Sequence, residues 1–136
     1  MNKVKEYLKL NVHTFGKFQM SNENGILTVE KIHSEMLTRL LAYMVYHRNK
    51  SVTVQELVEV LYAEDESDNP AGALKNLMYR LRNLLKKTWG NYDFIITGRG
   101  LYQWNPHIFL NVDAEEFEQY CKEMDLQDSV EKQIQQ

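Results

Sequence analysis

The chain has a single cysteine, Cys121, so it cannot close a disulfide within itself, which agrees with a reducing compartment. It has no apolar run near the ~18 residues of a membrane span. Its first residues lead into an alternating pattern and not into the apolar core of a signal peptide. A cytoplasmic protein without membrane contact is therefore expected. Catalytic constellations are missing too. His13, His33, His47 and His107 are scattered without the spacing of metal ligands. Cys121 lies among acids that would raise a thiol pKa and not activate it. Gly98-x-Gly100 lacks the third glycine and the following helix of a dinucleotide site. No enzymatic activity, metal or cofactor is expected. There is no internal repeat and no low-complexity segment, and 136 residues suit one domain or one domain with a short extension.

Charge is present, and its mean hides its arrangement. The net charge is −3, yet residues 1–52 carry +4, residues 53–68 carry −6, residues 69–112 carry +5 and residues 113–136 carry −6. For nucleic-acid binding the distribution counts for more than the sum. No Asp or Glu occurs from Asn69 to Tyr92, a stretch that holds Lys75, Arg80, Arg82, Lys86 and Lys87.

Leu8, Leu10 and Val12 alternate with Lys9, Asn11 and His13, the period of a half-buried strand. Phe18 and Met20 continue strand-like to the turn signal Asn24-Gly25, and Ile26 to Val29 reads as the return strand of a small antiparallel sheet. Met36, Leu37, Leu40, Leu41, Met44 and Val45 form one apolar face of a first helix over 34–47, with Ser34 as its N-cap. Thr53-x-x-Glu56 is a capping box opening a second helix whose core face is Leu57, Val58, Val60 and Leu61. An acidic loop follows over 63–69. Asn69-Pro70 pairs an N-cap with a proline at the first helical position, where its missing N–H costs nothing, and opens a third helix running to Thr88. Gly90-Asn91 ends it. Tyr92–Thr97 and Leu101–Trp104 flank Gly98-Arg99-Gly100 as a hairpin, closed by Pro106. Asp113 caps a trailing helix with Phe117 and Tyr120 on one side and acids on the other, and residues 125–136 are polar with little to bury.

In the third helix Leu77, Met78, Leu81, Leu84 and Leu85 share the core face. Asn76, Tyr79, Asn83, Lys86 and Lys87 lie opposite, with Arg80 and Arg82 on the flanks and Lys75 beside Arg82. Arginine donates two hydrogen bonds to guanine and asparagine pairs with adenine in a major groove, while lysine and tyrosine hold phosphates. Asn76, Tyr79, Arg80 and Asn83 are thus the base-reading candidates, and Lys75, Arg82, Lys86 and Lys87 the phosphate candidates. The competing reading is a solvated helix whose terminal lysines serve the helix dipole, with Arg80 or Arg82 paired to Glu56 or Glu59. Gly98 and Gly100 permit positive φ at a tight turn that projects Arg99, and a narrow minor groove attracts such an arginine. An ordinary turn with a solvated arginine is the alternative. Tyr102 and Trp104 suit a core better than a stacking platform.

These stretches resemble a known family. Phe15-Gly-Lys-Phe18 is similar to its opening strand and turn, Val52 to Leu61 to its second helix, and Asn69 to Arg82 to its recognition helix. Thr97-Gly-Arg-Gly-Leu-Tyr102 is similar to its wing. The family is the winged helix-turn-helix DNA-binding domain of OmpR/PhoB type. More specifically, Asn111-Val-Asp-Ala-Glu-Glu-Phe117 resembles the segment that leads into the activation domain of SARP regulators. The resemblance covers residues 8–124 in order. It implies an α+β fold: an N-terminal antiparallel sheet, a three-helix core, a C-terminal β-hairpin wing and a trailing helix. It divides the chain into a winged-helix domain over 1–110 and the start of a truncated, TPR-like helical activation domain over 111–136.

The resemblance also places Arg80 and Arg82 where the family contacts bases and phosphates, and Arg99 at the wing arginine of the minor groove. It makes Glu64, Asp65, Glu66 and Asp68 candidate contacts for RNA polymerase. Tyr62 stands where many members have tryptophan, and Leu77 where some carry a polar contact residue. The implied function is a bacterial transcriptional activator on double-stranded DNA, bound at direct repeats as a head-to-tail pair. The rival is a winged helix whose basic face binds an acidic protein segment. The acidic blocks at 53–68 and 113–136 suit partner contacts under either reading.

Overall fold

The computed structural model describes residues 8–62 and 68–124. Glu64, Asp65 and Glu66, three of the expected RNA polymerase contacts, lie outside these residues, as does the polar tail 125–136. Strand β1 (Leu8–His13) turns Leu8, Leu10 and Val12 inward, and β2 (Gln19–Asn22) and β3 (Gly25–Thr28) follow as an antiparallel hairpin. The return strand ends one residue earlier than its sequence suggests. Thr28 instead caps α1 (Val29–Ile32), a single turn closed by His33 at φ 56°.

The three expected helices are α2 (Glu35–Tyr46), α3 (Val54–Tyr62) and α4 (Pro70–Trp89). Their starts use the predicted caps. Ser34 Oγ accepts from Leu37 N at 3.1 Å, and Asn69 Oδ1 accepts from Gly72 N at 3.1 Å. Thr53 Oγ1 accepts from Glu56 N at 3.0 Å while Thr53 N donates to Glu56 Oε1 at 3.3 Å, a reciprocal pair that satisfies two backbone donors. Helix α2 is buried beyond the expected stripe. Thr38, Ala42 and Tyr43 join Leu37, Leu40, Leu41, Met44 and Val45 in the interior, because α1, α3, α4, α5 and β6 all pack around it.

Strand β4 (Ser51–Thr53), between α2 and α3, pairs with β6 (Leu101–Trp104). With β5 (Ile95–Gly98) they form a second sheet in the order β4-β6-β5. Tyr102 and Trp104 are buried. The first sheet differs from the expected antiparallel one. Its order is β3-β2-β1-β7, and β7 (Ile108–Val112) runs parallel to β1, in register from Leu8↔Ile108 to Val12↔Val112. A boundary between residues 110 and 111 therefore falls inside a strand of the first sheet. Helix α5 (Ala114–Glu123) begins at the Asp113 cap and buries Phe117 and Cys121 in the same core. The Phe117 ring lies 6.4 Å from Phe18 and 6.1 Å from Tyr46, centroid to centroid, and Arg39 Nη1 donates to the Met124 carbonyl at 2.6 Å. Among the described residues no helix is long and apolar enough to cross a membrane.

Candidate nucleic-acid interface

Helix α4 buries Leu74, Leu77, Met78, Leu81, Leu85 and Trp89 and half-buries Leu84. The opposite side leaves Lys75, Asn76, Tyr79, Arg80, Asn83, Lys86 and Lys87 exposed, with Tyr79 65% accessible. An aromatic ring so exposed on an otherwise polar face is available to contact something outside the fold. Lys75, Arg80, Lys86 and Lys87 form no ion pair among the described residues, so none of those residues neutralises their charge. Glu56, considered above as a partner for Arg80 or Arg82, is engaged by its own cap, by the Tyr43 hydroxyl at 2.5 Å and by Lys50 Nζ at 3.4 Å.

The α4 helix stands against α3, the helix-turn-helix pair, and its C-terminal end is pinned to the first sheet. Trp89 Nε1 donates to Asn22 Oδ1 at 3.0 Å, and the same oxygen accepts from Asn24 N and Gly25 N. The helix is thus anchored at its base with its polar side exposed.

The wing follows from β5 and β6, joined through Arg99-Gly100, with Gly98 opposite Leu101. Gly100 has φ 69°, whereas neither Gly98 nor Arg99 lies in the positive-φ region. A negative then a positive φ is the sign pattern of a type II turn, which needs glycine at its second central position. Of the two glycines that permit positive φ here, only Gly100 adopts it; Gly98 ends a regular strand. Arg99 is exposed at the tip and unpaired among the described residues. The Gly100 carbonyl accepts from Val54 N at 3.0 Å, tying the tip to the start of α3.

Arg82 is placed differently from its neighbours. It is half-buried, and its Nη2 donates to the Ile95 carbonyl at 3.0 Å and to the Thr97 hydroxyl. Its guanidinium carbon lies 5.8 Å from the centroid of the Tyr102 ring. Sequence reasoning did not single out Thr97. Its partner lies fifteen residues back, and the contact exists only because the hairpin folds against α4. Asp68, the one described residue of the acidic loop set, is exposed just before the Asn69 cap.

No group of His, Cys, Asp and Glu that could hold a metal is present among the described residues. The surface brought together is a cationic and amide helix face beside an arginine-tipped hairpin, which suits a polyanion with readable edges. No curated protein and no solved structure matches the chain. The family model described as "Transcriptional regulatory protein, C terminal" matches residues 30–101, from α1 to the first residue of β6. That is more than half of the chain, which therefore belongs to this family of winged helix-turn-helix DNA-binding domains of OmpR/PhoB type.

Proposed function

We propose that this chain is the sequence-specific DNA-binding domain of a bacterial transcriptional activator acting in the cytoplasm. Helix α4 enters the major groove, where Asn76, Tyr79, Arg80 and Asn83 read base edges and Lys75, Lys86 and Lys87 hold phosphates. Arg99 reaches the adjacent minor groove or its backbone. The observation that carries the reading is the exposed basic and amide face of α4, without ion pairs among the described residues, standing beside an exposed wing arginine. A merely solvated helix face mixes charges of both signs, and this one holds no acid.

Asp113 to Met124 is the first helix of a SARP-type activation domain in this reading, supported by its Asp113 cap and its packing of Phe117 on the DNA-binding core. The acidic segment before α4, including Asp68, offers a contact to RNA polymerase. Two copies bind a direct repeat head to tail.

Selection of bound sequences from a random duplex pool tests this. Enrichment of a direct repeat is expected. Its affinity should fall steeply with salt, each neutralised phosphate contributing ~0.9 to the log–log slope. Failure to enrich any duplex at low salt would leave the basic face to an acidic protein partner instead.

A further inference from the structure

Among the cations beside the reading face of α4, Arg82 already has a task within the fold. One nitrogen of its guanidinium serves the Ile95 carbonyl and the Thr97 hydroxyl, and the group lies over the Tyr102 ring. Ile95 and Thr97 belong to β5 and Tyr102 to β6, and Thr97 pairs directly with Tyr102. A single side chain from the helix thus reaches both strands of the wing, and Thr97 is only two residues short of Arg99. The position of β5 gives this contact its weight. In the order β4-β6-β5 it is the edge strand. The other side of the hairpin is held by β4 and by the bond from Val54 N to the Gly100 carbonyl. Strand β5 has β6 on one flank and the guanidinium of Arg82 on the helix side, while Ile96, Thr97 and Gly98 are exposed. An arginine is suited to the task, since its planar, permanently charged group can bond and stack at once. Swinging Arg82 out to a DNA phosphate would surrender both charge-assisted bonds and the ring face together.

We infer that Arg82 is a positioning residue. It fastens the edge strand of the wing to the recognition helix, and so sets where Arg99 stands relative to the reading face of α4. Arg82 therefore contributes to DNA binding through Arg99 and not through a phosphate of its own. The inference rests on the DNA-binding reading above, and one of its readouts is independent of DNA.

The full chain is compared with its Arg82→Met, Arg99→Ala and doubly substituted forms, on a duplex enriched from the random pool and across a salt series. Arg82→Met should weaken binding about tenfold when Arg99 is present and less than about twofold when it is alanine, the non-additivity of coupled residues. With Arg99 already alanine, removing Arg82 should leave the salt slope unchanged. In the free protein, amide exchange over 96–101 should quicken at least about tenfold, while the middle of α4 stays protected. Thr97→Val, which removes an acceptor and no charge, should shift the hairpin exchange in the same direction, and it takes the place of Arg82→Met should that variant fail to fold. Equal losses with and without Arg99, together with a slope lowered by ~0.9 when Arg82 is removed from the Arg99→Ala protein, would identify a phosphate contact and overturn the inference. Unchanged hairpin exchange would overturn it as well. If the wild-type chain bound no duplex, the DNA-binding reading would fall, and the exchange measurement would still decide whether Arg82 fastens the wing.

Discussion

Gly25 has almost no room for a side chain. A Cβ there would stand 2.8 Å from the Thr88 carbonyl oxygen and 3.2 Å from the Trp89 indole nitrogen. The first of these is backbone, and the second is held by Asn22. Gly25→Ala should therefore push the β2–β3 hairpin off the end of α4 and cost about 1–3 kcal/mol, an overpacking penalty. Urea unfolding would show it as a lower midpoint at constant slope. Arg80 and Arg99 are exposed and unpaired among the described residues, so their loss should spare stability and act on binding. Arg80→Ala should weaken the selected duplex by about 1–3 kcal/mol and relax one base preference, whereas Arg99→Ala should weaken all sequences more evenly. A panel of single-base duplex variants separates the two patterns, and unchanged binding by both proteins would refute the assigned surface. Cys121 is pushed up to about 12 by burial, helped by the charge of Glu118, and burial raises Tyr120 to about 12 as well. Both groups keep their protons in the native state at pH values where the unfolded chain has begun to release them. Their contribution to stability is complete below the ordinary thiol value of 9.0 and is lost as pH climbs from there toward 12. Cys121→Ala should flatten part of that alkaline decline, and native Cys121 should react with a thiol reagent at pH 8 only as fast as the chain opens.

At the scale of elements, the helix starts are local devices. The capping box of Thr53 and Glu56 lies within four residues, so its sequence announces it. Thr53→Ala should cost about 1 kcal/mol of stability and leave duplex affinity intact once the protein is folded; thermal melts alongside binding titrations check both halves. The same locality made Asn69-Pro70, the leucines of α4 and the Gly98-Arg99-Gly100 hairpin readable from residue types alone. Three elements were not readable. Helix α1 is a single turn, too short for a period to show, and it ends on His33 in a left-handed conformation that glycine or asparagine usually marks. Strand β4 has three residues and exists because β6 pairs with it from fifty residues away. Strand β7 opens with three apolar residues, Ile108, Phe109 and Leu110, of which Phe109 is exposed, so its alternation appears only in the structure, and no local signal names so distant a partner as β1. The site divides along the same line. The helical period assigned the exposed face of α4, while the commitment of Arg82 depends on where the hairpin comes to rest.

At the scale of the molecule, the family match and the folding unit are not the same length. Residues 30–101 hold α2, α3 and α4, nearly all of α1 and most of the wing sheet, but β1, β2, β3, β7 and α5 lie outside them. Leu8, Leu10, Val12, Phe18, Met20, Leu27, Ile108, Leu110 and Phe117 all belong to the one core that α2 runs through. A fragment limited to 30–101 would expose the sides of α2 and α4 that these residues cover. It should lose the single cooperative transition expected of the whole chain, as followed by circular dichroism and by tryptophan fluorescence together. A sharp, coincident transition in the fragment would show that the first sheet is dispensable. Joining β1 to β7 also closes a loop of one hundred residues, so the first sheet should be completed late in folding, since distant pairings are slow to find. The parallel sense of that pair has a mechanical meaning. Tension applied at Leu8 and, once α5 has peeled away, at Val112 pulls the two strands lengthwise past each other. All rungs of the ladder then bear the load together, where an antiparallel hairpin tugged at its open end would unzip one rung at a time. The domain is clasped in shear, and it should yield to force abruptly and not by degrees.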